Sequence, residues 1–88
     1  MNACAFNDYK SADEKLNAAY KETIAALPAE KRDRLRKEQR AWLKRHDAQC
    51  YAKAKPVEGG SIWPLEYYGC LRTQTEKRTA EIAQWKNR

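Results

Sequence analysis

The chain has 88 residues, 42% of them hydrophobic and 34% charged, with 18 Lys or Arg against 12 Asp or Glu and a formal net charge of +6. That length makes one domain, residues 1–88, near the size at which a hydrophobic core alone leaves only a small net stability. No run approaches the roughly 18 consecutive apolar residues of a membrane-spanning helix, and the positive excess is local. Residues 31–46 hold eight Lys or Arg and two Asp or Glu, leaving ten of each elsewhere.

Between residues 7 and 27 the apolar positions Tyr9, Ala12, Leu16, Ala19, Tyr20, Ile24 and Leu27 recur at intervals of three and four. This is the period of an amphipathic helix with one buried stripe, and it predicts helix 1 over about residues 5–27. Leu27-Pro28 ends it, because proline lacks an N–H and pushes the preceding residue out of the α region, yet it suits the first turn of a following helix. Helix 2 is predicted over about residues 29–53, with Glu30 and Asp33 complementing its dipole.

Inside helix 2, residues 39–50 read as the stretch around which the chain is organised. Gln39, Trp42, Leu43, His46 and Cys50 fall on one face, and Arg40, Lys44 and Arg45 on the other. The loop 54–60 contains Pro56 and the pair Gly59-Gly60. Helix 3 follows over about residues 61–86, with Ser61 as its cap and Pro64 in its first turn. Its stripe is Tyr67, Cys70, Leu71, Gln74, Thr75, Arg78, Ile82 and Trp85. Nothing reads as a strand. Short connections imply antiparallel neighbours, so the predicted fold is all-α, an up-down-up bundle of three helices.

The bundle tests the cysteines. Cys50 falls about one turn before the end of helix 2 and Cys70 between two and three turns into helix 3, a stagger the loop absorbs, so a bridge between them is geometrically reasonable. Cys4 is then the odd one of three. The cysteine spacings match no zinc or redox motif and His46 is the only histidine, so neither a metal site nor a cofactor is expected.

Several separated residues together form a pattern. Met1-x-x-Cys4, Ala12-Asp13-x-x-Leu16-Asn17-x-x-Tyr20, Gln39-Arg40-Ala41-Trp42 with Asp47 and Cys50, Gly59-Gly60-Ser61, and Cys70-Leu71 with Thr75 and Arg78 stand in this order. The chain resembles the lysozyme-inhibitor LprI-like family of small exported bacterial domains over nearly its whole length. The resemblance implies an all-helical domain with disulfides, placed in the periplasm or cell envelope by a signal peptide not present in this chain. It also implies that Met1 is an internal residue and that the partner of Cys4 lies upstream. The family pattern has an aromatic and then arginine before the Asp47 position, where this chain has Arg45 and His46.

Four groups of residues carry candidate functions. His46 and Asp47 are adjacent on a helix and point about 100° apart, which disfavours acid–base catalysis and favours a packed histidine. Gln39, Asp47, Thr75 and Arg78 are read as a buried polar network whose members satisfy one another. Arg32, Arg36, Arg40 and Lys44 recur every fourth residue as a cationic ladder, without the interleaved aromatic residues expected of a nucleic-acid binder. Ile62 and Trp63, beside Gly59-Gly60, are the candidate protein-recognition residues.

The family resemblance therefore implies a non-enzymatic envelope binding protein, with inhibition of a lysozyme (muramidase) as the function its name carries. The alternative is a structural module that binds anionic envelope polymer or lipid through the basic face of helix 2, with nucleic acid less favoured. Many lysozymes are basic, and a domain of charge +6 repels such a partner at long range.

Overall fold

A computed structural model describes residues 3–87. It contains three α-helices, α1 (Ala3–Ala26), α2 (Ala29–Ala54) and α3 (Trp63–Gln84), with single 3₁₀ turns at Lys55–Val57 and Trp85–Asn87 and no strand among the described residues. The Cα positions span 46 × 21 × 14 Å.

Proline sets the first corner. Pro28 takes an extended conformation, φ −66° and ψ 160°, and its carbonyl accepts from the Arg32 N–H at 2.9 Å to open α2. The last carbonyls of a helix lack intrahelical donors. Here the Arg32 guanidinium reaches back and donates to the Leu27 carbonyl at 3.1 Å.

The second connection is longer and uses glycine where it must. Gly59 has φ +85°, a conformation costly for any residue with a Cβ. The Trp63 N–H then donates to the Gly60 carbonyl at 3.2 Å, and that of Glu66 to the Ile62 carbonyl at 3.0 Å. Helix α3 therefore starts at Trp63, two residues later than expected at Ser61, and Ile62 precedes it with no side-chain cap. The backbone carbonyls of Gly60 and Ile62 thus accept from the first turn of α3.

In space α3 is the shared element. Its closest packing is with α1 and its next closest with α2, whereas α1 and α2 approach each other little. The organising role expected of residues 39–50 thus belongs to α3. The core has two apolar clusters. Leu16, Leu27, Leu35, Ile82 and Trp85, joined by Ala19, Tyr20, Ile24 and Trp42, fill the end nearest the α1–α2 corner. Cys50, Cys70 and Leu71, with Tyr9, Tyr67 and Tyr68, fill the other end. The Cys50–Cys70 disulfide joins α2 to α3 there, with Cα atoms 5.5 Å apart.

The stripe of α2 is narrower than its sequence suggests. Leu35, Gln39, His46, Cys50 and Ala54 are buried and Trp42 half-buried, but Leu43 is 46% exposed. Leu43 lies at the edge of a stripe with no closely packed α1 to cover it. Along α3 the expected stripe is buried from Cys70 to Trp85 apart from Gln74, which is half-buried.

Candidate functional site

Between the two apolar clusters lies a polar layer centred on Arg78. One turn of α3 aims this buried side chain at α2, where its Nε donates to Gln39 Oε1 at 2.8 Å. One terminal nitrogen meets Glu81 at 3.2 Å and Glu38 at 3.5 Å, both half-exposed or more. The guanidinium carbon stands 5.8 Å from the Trp42 ring centroid, within range of a cation–π attraction. Trp42 in turn stacks on His46 with centroids 4.3 Å apart. His46 Nδ1 lies 3.0 Å from Gln74 Oε1, a geometry met with the ring proton on Nδ1.

Of the four residues expected to form one polar network, the structure joins only Gln39 and Arg78 directly. Thr75 is fully buried beside them, but its hydroxyl and the second terminal nitrogen of Arg78 have no partner among the described residues. Asp47 lies outside the layer. One position beyond His46 turns it about 100° away, so it is exposed and accepts from the Tyr67 hydroxyl at 2.5 Å.

That bond belongs to a chain of rings at the disulfide end. Trp63 stacks on Tyr67 at 4.9 Å, and Tyr67 meets Tyr68 edge-on at 5.2 Å. Tyr68 contacts Tyr9 at 6.0 Å and Phe6 at 5.2 Å. Burial, followed by the Asp47 hydrogen bond and its charge, pushes the Tyr67 phenol well above its ordinary 10.0. Burial also raises Tyr9, with the charges of Asp13 and Asp47 adding to it.

Several large apolar side chains are exposed at this end. Ile62 is 47% exposed and Leu65 53%, while Phe6 and Tyr51 are also exposed. Trp63 is half-buried, and its indole N–H is shielded from solvent without a partner among the described residues. The candidate recognition pair therefore divides: Trp63 is a packed ring, and Ile62 is the accessible side chain. Leu65, Phe6 and Tyr51 were missed because stripe-reading looks for buried periodicity. The usable signal was the converse, large apolar residues lying off the stripe.

The cationic ladder divides as well. Arg32 is committed to the α1–α2 corner, and Arg36 lies 3.8 Å from Asp33 on the exposed surface. Arg40 and Lys44 are exposed and have no ion-pair partner among the described residues. Charge is distributed unevenly: α2 carries nine Lys or Arg against four acids, α1 three against four, and α3 three against three. No group of three or more His, Cys, Asp or Glu among the described residues is placed to hold a metal ion, and no described helix is long and apolar enough to cross a membrane.

Three helices, a disulfide at one end, a polar layer centred on Arg78 and exposed apolar side chains beside stacked rings define a small disulfide-stapled helical domain. A family model described as lysozyme inhibitor LprI matches residues 1–82, and the chain belongs to that family. It is also similar to an uncharacterised protein of Rhizobium meliloti (strain 1021), with 36% identity over 97 aligned positions covering 96% of this chain and 70% of the relative. No solved structure matches.

Proposed function

We propose that the domain is a non-enzymatic binding protein of the cell envelope that inhibits a lysozyme-type muramidase by covering it with the loop end of the bundle. The observation that carries the reading is the exposed apolar side chain of Ile62, beside Gly59-Gly60 and above the stacked rings. Rigid rings beneath an apolar rim lose little side-chain freedom on binding, which favours affinity. Family membership supplies the partner class.

The charge objection to a basic lysozyme weakens when charge is placed on the fold. The excess sits on α2, whereas α1, which brings Phe6 to the same end, has four acids against three bases. A partner approaching over α1 and the loop keeps its distance from the ladder. The test is peptidoglycan hydrolysis by a panel of acidic and basic lysozymes with the oxidised domain added. At least one enzyme is slowed, and Ile62→Ser weakens that inhibition by about tenfold. A panel with no inhibited enzyme, or an Ile62→Ser domain as potent as the wild type, overturns the proposal.

A second reading rests on Arg40 and Lys44, exposed cations without an ion-pair partner among the described residues. Under it the outer face of α2 binds anionic envelope polymer or lipid, with affinity falling steeply with salt. Arg36→Glu with Arg40→Glu then abolishes polymer binding and leaves lysozyme inhibition by the loop end in place.

A further inference from the structure

A second surface lies on the flank of the bundle, where α2 and α3 run side by side. Two adjoining cavities of 610 and 250 Å³ share Gln49, Gln74 and Lys77 in their walls and so form one groove. Arg45, Gln49 and Lys53, four residues apart, line the α2 side, while Thr73, Gln74 and Lys77 line the α3 side. We infer that this groove binds an extended acidic segment of a polypeptide, its carboxylates pairing with Arg45, Lys53 and Lys77. This surface adjoins the loop end at Leu65, which lines the larger cavity, and shares no residue with the Arg36–Arg40–Lys44 ladder.

The charges point to an acidic occupant. Arg45, Lys53 and Lys77 have no ion-pair partner among the described residues, although three cations face one groove. Arg78 and Glu81, also in the wall, compensate each other at 3.2 Å. Glu66 at the far end leaves the groove positive by two. From Trp42 to Lys53 the α2 wall is about 16 Å long, enough for about five extended residues.

The lining favours a polypeptide over a glycan. Trp42 is the aromatic residue in the wall, and His46 stacks on its ring with Arg78 also over it, which leaves it a poor platform for a stacked sugar. At the waist Gln74 Nε2 donates to Gln49 Oε1 at 3.4 Å. This is a long bond, readily exchanged for one to a peptide N–H or C=O. Gly69 lies in the floor, and a Cβ added there would meet nothing within 4 Å, so the space above the backbone is open to a ligand.

Gly69 also supplies a test that leaves charge untouched. Its φ is not positive, so Gly69→Leu fits the helix and fills the groove floor. Labelled hexaglutamate is titrated into the oxidised domain at low and moderate salt, beside hexaglutamine and an oligogalacturonate of equal charge. Hexaglutamate binds best, and Gly69→Leu and Lys77→Glu each weaken it by about tenfold, whereas Arg36→Glu with Arg40→Glu changes it by less than about threefold at moderate salt. Absent hexaglutamate binding, equal or tighter oligogalacturonate binding, or unchanged affinity in Gly69→Leu overturns the inference. Lysozyme inhibition is measured on the same variants; its persistence in Gly69→Leu keeps a failure here separate from a failure at Ile62.

Discussion

Arg78 is a buried charge held by the groups around it. It is 5% exposed, and its fork is divided between Gln39, two surface glutamates and the Trp42 ring. Its removal strands the Gln39 amide and uncovers Trp42, while Glu38 and Glu81 return to water. Arg78→Met is therefore expected to lower the unfolding free energy by about 3 kcal/mol, and Arg78→Lys restores little because an ammonium cannot reproduce the fork. Lys44→Ala, made on the exposed face, shifts it by no more than about 0.5 kcal/mol. Urea unfolding of the three variants checks both expectations, and an Arg78→Met domain as stable as Lys44→Ala would refute the account of the polar layer.

At the scale of helices, apolar periodicity made most of the fold legible, because each helix buries one face and the residues of that face recur at three and four. The pairing of Cys50 with Cys70 followed from helix lengths and the antiparallel turn. What periodicity could not show is which helix the others pack on. Periodicity marks a stripe on α2 and on α3 alike, yet α3 contacts both neighbours and α2 mainly one, which is why Leu43 is left half-exposed. Asp47 was placed with Gln39 and Arg78 because it lies near the apolar stripe, but it stands one residue past His46 and so faces away from the layer. The groove along α2 and α3 was illegible because its cations come from two helices whose register only the fold supplies.

The disulfide makes the dominance of α3 testable. It closes a separation of 20 residues across the α2–α3 connection, beside the ring chain and far from the Leu16–Leu35–Ile82 cluster. Cys50→Ser with Cys70→Ser should cost about 3 kcal/mol by freeing the unfolded chain. Hydrogen exchange should rise first in the loop and at the C-terminal end of α2, while α1 and the middle of α3 stay protected by their own packing. Uniform loss of protection over all three helices would mean that the bundle has no α1–α3 unit more stable than the rest.

For the molecule as a whole, the same asymmetry of charge and rings governs its response to pH. Tyr9, Tyr51 and Tyr67 all have phenol groups raised above 10.0: Tyr9 and Tyr67 chiefly by burial, and Tyr51 by its hydrogen bond to Glu58. A group whose folded pKa exceeds its unfolded value binds more protons when folded, so its contribution to stability is complete below pH 10.0 and is lost as pH rises through the folded value. Stability should therefore fall on the alkaline side, beginning above about pH 10. Tyr67→Phe isolates the contribution of one of these rings. It removes the donor to Asp47, which remains solvated, at a cost of about 1 kcal/mol at neutral pH. It also flattens the alkaline decline, because the phenol that is hydrogen-bonded to Asp47 as well as partly buried is gone. Thermal melts from neutral to strongly alkaline pH, with phenolate absorbance followed in parallel, decide the matter. An alkaline decline as steep in Tyr67→Phe as in the wild type would show that ionisation of this ring does not limit the fold.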